Sequence, residues 1–159
     1  MQQEMPRRSN RERTETTRTA LLSAARKLFI EKFYAETATP DIAVAAGVTR
    51  GALYHHFADK QALFRAVVEQ EAAEVAREIE AAAPRSLSAR DALLEGGRAF
   101  LTAMSVPGRT RLLLLDGPAV LSRAVMDEID GKHSARTLRE GLAIAMSENG
   151  MKKLPLDAL

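Results

Sequence analysis

The chain has 159 residues, 46% of them hydrophobic, with no cysteine and a formal net charge of only +2. That apolar content suffices for one ordinary domain or two small ones with buried cores, while the missing cysteines exclude disulfides and thiolate metal sites and suit a reducing cytoplasm. The charge is unevenly placed: residues 1–65 hold 11 Lys/Arg against 7 Asp/Glu, a surplus of four, and residues 66–159 hold 12 against 14.

The opening Met1-Gln-Gln-Glu-Met-Pro6 lacks the apolar stretch of a secretory signal. Arg7, Arg8, Arg11 and Arg13 make residues 1–13 a flexible basic arm, either a solvated tail or a segment that lies along a phosphate backbone. Residues 14–32 place Leu21, Leu22, Ala25, Leu28 and Phe29 at helical spacing. Two short helices follow over residues 39–57. Thr39 suits an N-cap and Pro40 the first helical position. Ile42, Ala43 and Ala46 form an apolar face, Gly47 supplies a left-handed stop, and Val48 turns back toward the core. Thr49 caps the second short helix, whose inner face is Leu53 and Phe57.

Asp59 caps a longer helix over residues 60–83, with Leu63, Phe64, Val67, Val68, Val75 and Ile79 at the same period. Residues 84–88 break it, and Ser88-Ala89-Arg90-Asp91 resembles a capping box that starts a helix reaching about Met104. Val106-Pro107-Gly108 is the next breaker. Residues 109–122 then read as helix interrupted at Asp116-Gly117-Pro118, and residues 123–149 as one helix that Gly150 ends. The longest aliphatic run, Leu112 to Leu115, is far too short to cross a bilayer, so no membrane partner is expected. No alternating strand pattern occurs, and the fold class is all-α.

Two short helices joined by a tight turn are the arrangement that lays one helix into the DNA major groove. The outer face of the second offers Arg50, Gly51, Ala52, Tyr54 and His55. Arg50 has the fork that binds guanine O6 and N7 bidentately, and the Ala52 methyl can meet a thymine methyl. Gly51 and Ala52 are small enough for the backbone to approach the groove floor. Tyr54 and His55 can reach flanking phosphates, which fix register without reading sequence. Lys60 stands in the first turn of the next helix, where the helix dipole disfavours a cation. A phosphate is the reason expected for it.

The run Ala46-Gly47-Val48-Thr49, then Gly51-x-Leu53-Tyr54-His55-His56-Phe57, then Asp59-Lys60-x-x-Leu63, resembles the DNA-binding domain of the TetR (tetracycline repressor) family of bacterial transcriptional regulators. The resemblance covers roughly residues 15–68. It implies a helix-turn-helix head over residues 14–60, a long fourth helix, and a helical-bundle body for ligand binding and dimerisation over residues 61–159. It also implies DNA contacts at Thr39, Thr49, Arg50, Gly51, Ala52, Tyr54, His55 and Lys60. One departure stands at Lys32-Phe33, where the family commonly has glycine after its first helix.

By the same resemblance the expected partners are double-stranded operator DNA, a small apolar effector and a second copy of the chain, with no cofactor. An effector entering the body would shift the fourth helix and change the separation of the two recognition helices. Phe100, Met104, Leu113, Val120, Met126 and Leu142 are the candidates to line its pocket, although methionine and leucine at helical spacing are also what any bundle core contains. Regulators of this family usually run some tens of residues further, with two final helices forming the dimer interface. Met151 to Leu159 reads as a linker and one further turn. The expectation is therefore a C-terminally short regulator that either dimerises through residues 88–149 or is a weak monomer.

An enzyme is disfavoured. His55 and His56 are adjacent, so on a helix they diverge by about 100° and cannot share one metal. His133 has no second histidine at i+4, Asp127, Glu128 and Asp130 read as a solvated face, and Ser122, Ser134 and Ser147 lack a nucleophile setting. The rival class is a helical binding or interaction module that keeps the fold without repressing. Salt-dependent DNA binding separates the two.

Overall fold

The computed structural model describes residues 10–84, 86–148 and 155–156. The regular structure among them is helical: α1 (Asn10–Glu36), α2 (Thr39–Ala45), α3 (Arg50–His56), α4 (Lys60–Ala82), α5 (Ala89–Met104), a π-helical segment (Arg111–Asp116), α6 (Gly117–Leu121), α7 (Arg123–Lys132) and α8 (Ser134–Glu148). The chain divides into two compact units, the first ending at Val67 and the second beginning at Val68. The first two turns of α4 belong to the first unit.

In the first unit, α1 buries Leu21, Ala25 and Phe29, as the helical spacing requires. Ile42, Ala43, Leu53, Phe57, Leu63, Phe64 and Val67 complete the core. The rings of Phe29 and Phe64 meet edge to face at 5.0 Å, and Tyr34 packs against Phe64 at the same distance. Such pairs add about 0.5–1.5 kcal/mol beyond their buried area. The helix reaches back to Asn10, so Arg11 and Arg13 are helical rather than part of a flexible arm. Arg7 and Arg8 lie outside the described residues.

The missing glycine has a cost. Phe33 adopts φ 67°, ψ 160°, a region that is nearly glycine-only and costs a larger residue on the order of 1–3 kcal/mol. Its surroundings enforce it. The Thr37 hydroxyl is 2.7 Å from the Phe33 carbonyl, and the Lys60 ammonium donates to the carbonyls of Tyr34 at 2.9 Å and Thr37 at 3.0 Å. The Phe33 side chain is itself 55% exposed, so little packing compensates. Phe33→Gly should therefore raise the melting temperature, by several degrees for a net gain of about 1 kcal/mol. A lower melting temperature in a thermal scan would show that the ring contributes more than its backbone strain removes.

In the second unit α8 packs against both α5 and α7, and α6 packs against the π-helical segment and α7. Ser88 caps α5 by accepting from the Asp91 amide at 3.1 Å, and its own hydroxyl donates to the Asp91 carboxylate at 2.7 Å. The single helix expected over residues 123–149 is two, because His133 leaves helical geometry at φ −120°, ψ −101°. The interruption expected near Gly117 is instead a change of helical pitch. A Cβ at Gly117 would stand 2.8 Å from the Leu112 carbonyl oxygen and 2.9 Å from the Met126 sulfur, so only glycine fits there.

Arg109, 5% exposed, is the charged centre of this unit. Its Nε donates to Glu71 at 3.1 Å, and one terminal nitrogen donates to Glu78 at 2.9 Å and the Ala103 carbonyl at 2.8 Å. Burial works against its charge, but the hydrogen bonds and negative charges of Glu78 and Glu71 together outweigh it and hold the guanidinium above its ordinary pKa.

Candidate nucleic-acid interface

The turn between α2 and α3 is built by backbone chemistry that the sequence specifies locally. Gly47 takes φ 67°. Its amide bonds back to Val44 at 3.0 Å while the Val48 amide bonds to Ala43 at 3.0 Å, the paired closure of a Schellman motif. Thr49 then caps α3, its hydroxyl accepting from the Ala52 amide at 3.1 Å. Asp59 caps α4 by accepting from the Ala62 amide at 2.7 Å. Leu53 is fully buried and Phe57 nearly so, which fixes the rotation of α3 about its axis. Arg50, Gly51, Tyr54 and His55 consequently face outward and Ala52 is half-buried, as the helical period requires.

Gly51 is the informative residue on this face. A Cβ added there would meet only the Thr49 hydroxyl oxygen, at an ordinary 3.9 Å. Glycine within a helix costs about 0.5–1 kcal/mol relative to alanine. No neighbour in the fold would obstruct a side chain at this position. Beside it, the Ala52 amide is already spent on the Thr49 cap, so Ala52 presents only its methyl group. The His55 and His56 rings stand 5.6 Å apart at 79° to one another. Among the described residues no group of three His, Asp or Glu side chains could hold a metal ion.

One expected role changes. Thr39 is the first residue of α2 and not its cap, since Ala38 holds the extended capping conformation and no side chain caps this end. The Thr39 hydroxyl instead lies 3.0 Å from the Tyr54 hydroxyl, tying the start of α2 to α3. The Tyr54 ring in turn lies under the Arg50 guanidinium, 5.6 Å from its carbon. Bonds with Thr39 first and Arg50 second lower the Tyr54 pKa from its ordinary value.

Lys60 has a structural role that the sequence did not suggest. Its ammonium satisfies the carbonyls at the end of α1 and sits over the Tyr34 ring, 4.4 Å from the centroid. This cation occupies the first turn of α4 because it closes the end of α1, so a phosphate is not needed to explain it. Lys60→Met should lower the melting temperature by several degrees while leaving the salt dependence of DNA binding unchanged. A shallower salt slope at unchanged stability would restore the phosphate role.

In the second unit none of the six candidate pocket residues is fully buried, and Phe100 is 38% exposed. The Met126 sulfur packs at Gly117. A cavity of about 330 Å³ is lined by Glu78, Ala82, Glu95, Arg98, Ala99 and Thr102, none of them among the six. The segment on which the expectation of a short C-terminus rested lies outside the described residues, apart from Pro155 and Leu156.

Residues 21–67 match the model of the bacterial regulatory proteins, tetR family, and residues 90–159 match a tetracyclin repressor-like C-terminal domain. The HTH-type transcriptional repressor BepR of Brucella suis biovar 1 is 44% identical over 62 residues, which are 39% of this chain and 29% of that protein. The HTH-type transcriptional regulator AcrR of Shigella flexneri is 42% identical over the same shares of the two chains. The matched part thus spans less than a third of the length of these relatives. Among solved structures, a TetR-family transcriptional regulator from Pectobacterium atrosepticum is 32% identical with a TM-score of 0.72, over 95% of this chain and 77% of that one.

Proposed function

The chain belongs to the tetR family of bacterial regulatory proteins, and on that premise we propose that it is a sequence-specific DNA-binding transcriptional regulator that represses until an effector binds. The observation that carries this reading is the outer face of α3, where a glycine the fold does not require adjoins an exposed arginine. Arg50 reads a guanine, Ala52 contacts a thymine methyl, and Thr49 and His55 reach the flanking phosphates. The second unit carries effector binding and self-association. Its exposed Leu101, Leu114, Leu115 and Ile144 suit a surface that a second copy covers. Two copies would present their recognition helices to half-sites about 34–36 Å apart or at multiples of that spacing.

Binding to duplex DNA across a salt series tests the reading. The logarithm of affinity should fall linearly with the logarithm of salt concentration, with a slope of about −0.9 per phosphate neutralised. Arg50→Ala should lose on the order of 1–3 kcal/mol on the preferred operator and relax discrimination at one base pair, with binding to random duplex nearly unchanged. A wild-type protein that selects no sequence from a randomised duplex pool would refute the regulatory reading.

A further inference from the structure

We propose that Tyr54, anchored through its hydroxyl to Thr39, is a positioning residue that holds the Arg50 guanidinium in place for base readout. The inference rests on the DNA-binding reading and adds to it a source of specificity. An exposed arginine on a short helix samples many rotamers, and ordering such a side chain at an interface costs on the order of 0.5–1.5 kcal/mol. Arg50 has a neighbour that restricts it, since residues at i and i+4 share one helix face and its guanidinium carbon lies 5.6 Å from the Tyr54 ring centroid. That distance is within the range of a cation–π attraction.

The ring is held in turn. Its hydroxyl lies 3.0 Å from the Thr39 hydroxyl at the start of α2, fifteen positions away in sequence. Thr39 is free for this contact because it does not cap its own helix. In a pair of hydroxyls one hydrogen joins the two oxygens and the other remains available, so the platform can still meet a phosphate. The lowered Tyr54 pKa, caused by Thr39 first and Arg50 second, agrees with this arrangement. Tyr54 remains 41% exposed, so its replacement disturbs no core.

The test uses the full chain and the duplex that the wild type selects from a randomised pool, with every position then varied singly. Tyr54→Leu should reduce discrimination about two- to fivefold, the equivalent of an exposed cation–π contact. The loss of discrimination should fall at the same base pair that Arg50→Ala affects, over and above any loss shared equally by all sequences. Tyr54→Phe keeps the ring and should retain most of that discrimination, and Thr39→Val should resemble it. In an Arg50→Ala background, Tyr54→Leu should have no further effect at that base pair. Equal weakening of every sequence by Tyr54→Leu would make Tyr54 a phosphate ligand only and overturn the proposal, as would unchanged discrimination. Failure of the wild type to select any sequence would instead remove the underlying DNA-binding reading, and the proposal with it.

Discussion

Arg109→Met should cost roughly 3–5 kcal/mol of unfolding free energy, because it removes a buried guanidinium that hydrogen-bonds the Glu71 and Glu78 carboxylates and the Ala103 carbonyl. The Glu71 side chain is only 5% exposed and lies 3.1 Å from the arginine it would lose. Denaturant titration reads the loss directly. Replacing both partners, Glu71→Met with Arg109→Met, should come close to wild-type stability, because burying neither charge avoids both desolvation costs. A single variant as stable as wild type would mean that water reaches the pair.

Phe57→Ala should cost about 3–5 kcal/mol and melt the first unit. Phe57 ends α3 with 5% of its surface exposed, and the Arg18 guanidinium covers its ring at 5.2 Å from the centroid. Truncation leaves a cavity that a small helical unit cannot collapse around. His56→Ala, beside it and partly exposed, should be far milder, so the comparison isolates packing from helix propensity. DNA binding should disappear in Phe57→Ala even though no contact residue is altered. Equal melting temperatures for Phe57→Ala and wild type would put the ring on the surface and overturn the orientation of α3.

What the sequence made legible was chemistry acting within one turn of its own position. Gly47 stopping α2, Thr49 capping α3, Asp59 capping α4 and Ser88 starting α5 are all found in the structure. The inward side of α3 followed from the period of Leu53 and Phe57, and its outward side from what remained. What escaped depended on partners remote in sequence. Thr39 reads as a cap until Tyr54 is seen beside its hydroxyl. Lys60 reads only as a phosphate ligand, and its bonds to the carbonyls of Tyr34 and Thr37 come from residues more than twenty positions away. Arg109 follows a Pro-Gly pair and reads as the first residue of a helix, yet its carboxylate partners come from α4. The break at His133 was missed although Gly131 and Lys132 just before it are a recognisable stop signal.

The partition of α3 into buried Leu53 and Phe57 and outward Arg50, Gly51 and Tyr54 has a consequence for how such a protein changes over generations. Exposed positions tolerate substitution at little cost in stability, whereas buried ones do not. The residues that would spell an operator can therefore be exchanged one at a time while the chain keeps folding. A duplicated copy could drift to a new set of target sites without ever passing through an unfolded ancestor.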